Sequence, residues 1–138
     1  MDAAILIAAI RGRSFAAVVE AALTAALFTT DRAVEEAARR ITLGMKQPEL
    51  LGLLRELAEV MIVAPVVDLE ASLEAAERSL RQAVPSRNGS IRDAHVLALA
   101  WEVDGDIWTT DRDFAGTGVA TWSTPNLMRA LGQSEPQR

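Results

Sequence analysis

The sequence predicts an α/β fold, a three-layer α/β/α sandwich with a mostly parallel sheet between helices. Three observations predict it. Apolar runs with helical spacing alternate with short strand-forming runs such as Phe28-Thr29-Thr30 and Met61-Ile62-Val63-Ala64. No two candidate strands are separated by a tight hairpin turn, so consecutive strands are expected to pair through crossovers. The candidate strands are short and largely apolar, as strands covered on both faces are.

Taken in order, the chain is apolar from Ala3 to Ile10. Ser14 is placed to cap a helix over 15–27, with Phe15, Val18, Val19, Ala22 and Leu23 along one side. Phe28-Thr29-Thr30 is a strand, and Thr30 or Asp31 caps the next helix, whose apolar face is Ala33, Val34, Ala37, Ala38 and Ile41. Pro48 suits a first turn, ahead of a helix over 49–60. The run 61–64 is a strand stopped by Pro65, and a helix starting at Asp68 or Ser72 reaches about Ala83. Residues 85–90, Pro-Ser-Arg-Asn-Gly-Ser, have turn chemistry. A helix over 93–102, a strand over 106–109, a short strand over 119–122 and a small helix capped by Ser123-Thr124-Pro125 complete the domain. The single domain is expected to span residues 1–131, with 132–138 as a C-terminal tail.

The bulk numbers bound the function. With 138 residues, 50% of them hydrophobic, the chain suits one domain with a sizeable core. No purely apolar run reaches the roughly 18 residues of a membrane span. Asp2 precedes the first apolar run while Arg11 and Arg13 follow it, the reverse of a secretory signal. Without cysteine there are neither disulfides nor thiolate metal sites, and a cytoplasmic location is the expectation. A net charge of -5 argues against a generic nucleic-acid scaffold, yet the carboxylates of a metal site contribute to such a balance. His95 is the only histidine, so multi-histidine zinc sites are excluded; its place in an apolar helix points to packing. Trp101, Trp108 and Trp122 have the apolar neighbours of core residues.

The chemistry is carried by carboxylates. Asp93 opens an apolar helix, and Asp111 and Asp113 follow the strand that ends near Thr109. Residues at a helix start and just past a strand end meet at one rim of an open α/β sheet, where such folds place ligands. Carboxylates crowded there repel one another unless a cation joins them, and an all-oxygen set suits Mg²⁺ or Mn²⁺. Each also has an ordinary structural explanation: Asp93 as a helix cap, Asp111 as a turn residue, Glu35 and Glu36 as solvated helix residues. Asp31, Asp68, Glu70, Asp104 and Asp106 fit caps and turn ends. Gly116 and Gly118 lack the strand–turn–helix order and the lysine of a nucleotide-binding loop.

The stretch Arg92-Asp93-Ala94-His95 through Thr109-Thr110-Asp111-Arg112-Asp113-Phe114 resembles the C-terminal half of a PIN domain, and the resemblance covers roughly residues 2–131. It implies a five-stranded parallel sheet of order 3-2-1-4-5 and metal-dependent cleavage of phosphodiester bonds, usually in single-stranded RNA. It implies metal-ligating and catalytic roles for Asp2, Glu36, Asp93 and Asp111, with Asp113 binding metal through water and Thr109 orienting the cluster. It further implies a toxin opposed by an antitoxin protein, and admits a homodimer. The sequence departs from the family pattern in two places. Ala4 stands where the family has asparagine, and Met1 alone precedes Asp2, so the first strand is expected to be truncated. Those departures sustain an alternative, a catalytically inactive PIN-like domain serving as a binding or scaffold module. A phosphatase of an unrelated α/β class also uses clustered aspartates. Asp111-Arg112-Asp113 has the spacing of its acid pair but lies late in the chain, with no lysine after it.

Overall fold

The computed structural model describes residues 1–12, 14–82, 91–110 and 114–132. Asp2 caps the first helix, α1 (Ala3–Ile10), by accepting a hydrogen bond from the Ile5 amide at 3.1 Å. Ala3, Ile5, Leu6, Ala9 and Ile10 of this helix are buried, which is where a helix apolar nearly all round must go. α2 (Phe15–Thr24) follows, shorter than expected and without a side-chain cap from Ser14. β1 (Phe28–Thr30) leads directly into α3 (Asp31–Arg39), capped by Thr30 through the Ala33 amide. A π-helical turn (Arg40–Gly44) and a 3-10 turn starting at Pro48 lead to α4 (Leu51–Glu59) and β2 (Ile62–Ala64).

Beyond β2 a 3-10 turn (Val66–Leu69) precedes α5 (Glu70–Arg81), whose cap position is Leu69 and not Asp68 or Ser72. A 3-10 turn (Ile91–Asp93) then opens α6 (Ala94–Val103). Residues Ala94 to Ala100 are all buried, so α6 is the second helix enclosed on every side. Asp104 ends it in the left-handed region, φ 51°, a conformation aspartate tolerates better than most residues. β3 (Ile107–Trp108), β4 (Thr121–Trp122) and α7 (Thr124–Ala130) complete the described chain, with Ser123 capping α7 through the Asn126 amide. The expected tail 132–138 lies outside the described residues except Gly132.

Two apolar clusters form the core. One surrounds α1 and takes in Val18, Ile41, Leu57, Trp108 and Met128. The other surrounds α6, with Leu69, Leu80, Ile107 and Phe114. The three tryptophans divide: Trp108 is buried and Trp122 half-buried, whereas Trp101 is exposed, so core packing holds for only part of the set.

The sheet differs from the expected one. Both strand pairings are parallel, β1 with β2 (Phe28 opposite Ile62) and β3 with β4 (Ile107 opposite Thr121). They form two separate two-stranded sheets rather than one sheet of order 3-2-1-4-5, and the described chain is mostly helical. The reason lies at Met1. Its amino group donates to the Phe28 carbonyl at 2.8 Å, and its carbonyl accepts from the Thr29 hydroxyl at 2.9 Å, so it sits alongside β1 as a strand residue would. Asp2 then starts α1 at once, and one residue cannot carry a ladder from β1 across to β3.

Candidate active site

The C-terminal ends of β1 and β3 bring several polar side chains together at one rim. Thr109, the residue after β3, donates its hydroxyl to the second carboxylate oxygen of Asp2 in a short hydrogen bond, while the first takes the Ile5 amide. Asp2 and Thr109 are both buried. A buried carboxylate is tolerable only when its oxygens find donors, and the start of α1 adds the favourable end of a helix dipole. The expected orienting role of Thr109 therefore has a direct contact behind it. Asp2 itself has a structural part that the sequence reading did not anticipate, the cap of α1.

A second buried link lies beside the first. Thr30, the last residue of β1, is 2.7 Å from Nδ1 of His95, and its hydroxyl oxygen accepts from the Ala33 amide at 3.0 Å. With the oxygen accepting that amide, the single hydroxyl proton points to His95, so Nδ1 is the acceptor and the ring proton sits on Nε2. Burial, reinforced by the Arg32 guanidinium and only partly opposed by Asp31, lowers the His95 pKa from 6.5 to about 4. The ring is neutral at pH 7, as the packing expectation requires.

Asp93 is half-buried at the end of the 3-10 turn that opens α6, two residues before His95. Its side chain makes no cap hydrogen bond to the α6 amides, so capping does not account for it. Asp31 does not cap either; it accepts the Val66 amide at 2.9 Å and ties α3 to the turn after β2. Glu36 pairs with Arg40 at 3.2 Å, both partly exposed. Arg40 lines a shallow cavity of about 230 Å³ with Ala4, Ile7, Ala8 and Arg11, so the Glu36 partner reaches toward α1, the helix that Asp2 begins. The remaining candidates, Asp111 and Asp113, lie outside the described residues.

The donors gathered at this rim are oxygens, the Asp2 and Asp93 carboxylates and the Thr109 hydroxyl, a set suited to a hard cation such as Mg²⁺. Among the described residues no group of three or more acidic or histidine side chains is close enough to hold a metal ion, so a complete ligand set would need Asp111 or Asp113. The Thr30–His95 and Asp31–Val66 contacts were missed from sequence. Thr30 was read as a cap, and nothing local signals a histidine 65 positions away.

No helix among the described residues is long and apolar enough to cross a membrane. No curated protein and no solved structure matches the chain. Its sequence does match the PIN domain family over residues 1–132, nearly the whole length. PIN domains are generally nucleases that use divalent metal ions, and an oxygen-lined rim at the strand ends is compatible with that chemistry. The chain belongs to the PIN domain family.

Proposed function

We propose that this PIN domain is an endoribonuclease that cleaves single-stranded RNA with Mg²⁺ or Mn²⁺, and that it acts as the toxin of a toxin–antitoxin pair in the cytoplasm. The observation that carries the reading is the Asp2 carboxylate, buried at the rim and held by Thr109, in a chain of a nuclease family. Asp2, Asp93 and Asp111 are the residues proposed to bind the ion and serve catalysis, with Glu36 at the edge of the set and Asp113 acting through water. A bound divalent ion supplies an acidified water and neutralises charge on the phosphate oxygens. Thr109 fixes the direction of the Asp2 carboxylate. The neutral His95 holds the start of α6, and Asp93 with it, against β1, and takes no part in proton transfer at pH 7.

The test is cleavage of unstructured RNA with Mn²⁺, with and without chelator, by the wild type and by Asp111→Asn. Cleavage that needs metal and is lost in Asp111→Asn supports the reading. A folded protein that cuts under no condition, yet still captures a protein partner, is the scaffold alternative. The antitoxin part is tested separately, by whether a partner encoded beside the chain abolishes cleavage on forming a complex.

A further inference from the structure

The space between the two sheets has a definite shape. Ile62 donates its amide to the Leu27 carbonyl, and Ile107 and Thr109 donate theirs to Ala120 and Trp122. Backbone groups alternate along a strand, so Leu27 and Thr29 face β2 while Ile107 and Thr109 face β4. The backbones of Phe28 and Trp108 are therefore turned the other way, each toward the gap between the sheets. A cavity of about 340 Å³ fills that gap. Its walls are residues 25–28 on one side and 105–108 on the other, under Leu99 and Val103 of α6 and Leu127 of α7.

Met1 closes one end of this slot. Its amino nitrogen makes the bond to the Phe28 carbonyl that a strand amide would make, while Asp2 beside it is bonded to Thr109. From Met1 to Asp2 the chain thus runs parallel to β1 and to β3. Continued backward from the Met1 nitrogen, the same line passes 27, 26 and 25 on one wall and 107, 106 and 105 on the other. That is the length of three or four extended residues, about 10–13 Å.

The chemistry of the slot also selects its occupant. Its walls and roof are predominantly apolar, and the Met1 amino group is buried with its pKa lowered to about 6 by that burial. A buried ammonium is unfavourable, whereas a peptide amide at the same point donates the same hydrogen bond without a charge. A separate peptide lying in the slot would end against that amino group; a continuous chain would remove it. We propose that the slot is a strand-acceptor site whose occupant is an extended apolar segment of about three or four residues joined to the Met1 nitrogen, adding between β1 and β3 in parallel with both. Such a segment covers the two strand edges that face each other and joins the two ladders into one.

The test compares the full chain with two versions carrying four added residues before Met1, Thr-Val-Val-Val in one and Gly-Ser-Gly-Ser in the other. The apolar extension should raise Tm by about 5 °C over the polar one. It should slow hydrogen exchange at the Phe28 and Trp108 amides by about tenfold or more. Leu99→Phe, which narrows the slot from its roof, should cancel both gains while the unextended Leu99→Phe protein stays folded. Equal Tm for the two extensions, or unchanged exchange at Phe28 and Trp108, would overturn the proposal. So would equal protection of those amides by a free Thr-Val-Val-Val peptide added to the unextended chain, since the occupant would then be a separate molecule.

Discussion

Thr109 and Asp2 lie 107 positions apart in the chain and meet in a buried hydrogen bond, hydroxyl to carboxylate, where β3 ends and α1 begins. The contact joins the two halves of the protein at the rim where the nuclease chemistry is proposed. It also makes Thr109 a test of whether Asp2 works there. Thr109→Val keeps the shape but removes the donor, leaving a buried carboxylate oxygen short of a partner. Stability should fall by about 1–3 kcal/mol in urea melts. Thr109→Ser should recover most of it. If Asp2 serves the proposed reaction, metal-dependent cleavage should drop more in Thr109→Val than stability explains; cleavage at the wild-type rate in a folded Thr109→Val protein would remove Asp2 from the mechanism.

Thr30 serves two partners at once, as the cap of α3 and the donor to His95. Thr30→Val should remove both, with a loss of about 2–4 kcal/mol. Thr30→Ser should lose less than about 1 kcal/mol. A loss for Thr30→Val no larger than that of an isolated cap, about 1 kcal/mol, would show that the His95 bond adds nothing.

The pH dependence follows from two groups whose folded pKa lies below the unfolded one. Burial lowers the Met1 amino group from 8.0 to about 6, and burial with Arg32 lowers His95 from 6.5 to about 4. In each window the unfolded chain binds more protons than the folded one, so stability falls as pH falls. The Met1 contribution should be lost between pH 8 and 6 and the His95 contribution between 6.5 and 4, each on the order of 3 kcal/mol. Urea midpoints across this range should fall in both windows. Acetylating the amino terminus should flatten the upper window, and His95→Asn the lower. Profiles unchanged by acetylation would mean that the amino group is not buried in solution.

Divalent ions should stabilise the protein, because they bind a folded carboxylate cluster and not dispersed unfolded side chains. At Mn²⁺ a hundredfold above its Kd the gain is about 2.7 kcal/mol, readily seen as a rise in Tm. Asp93→Asn should shrink that rise without destabilising the metal-free protein, since Asp93 makes no cap bond to α6. An equal rise in both proteins would place the ion away from Asp93.

Several features were legible in the sequence because they are local. Thr30 caps α3 and Ser123 caps α7 because a hydroxyl at the first non-helical position reaches an amide three residues on, whatever the rest of the chain does. The buried helix α6 and the neutral, packed His95 follow from an unbroken apolar run around a single histidine. The parallel pairing of β1 with β2 follows from the helices between them. The approximate place of Asp93 was legible too, as the residue before an apolar helix.

Other features were decided only by tertiary structure. The bond from Thr109 to Asp2, from Thr30 to His95 and from Asp31 to Val66 each join residues far apart in the chain, and no local pattern encodes such a meeting. The five-stranded order was expected from resemblance, but forming it requires a ladder continuous from β1 to β3, and Met1 fills only one position of it before Asp2 turns the chain into α1. Asp2 shows the division most plainly. Its sequence position marks it as a helix start and an acid, since both are local properties. That its carboxylate is buried at the strand ends, pinned by a threonine from the other half of the chain, is a property of packing, because only the folded chain brings β3 beside the first residues.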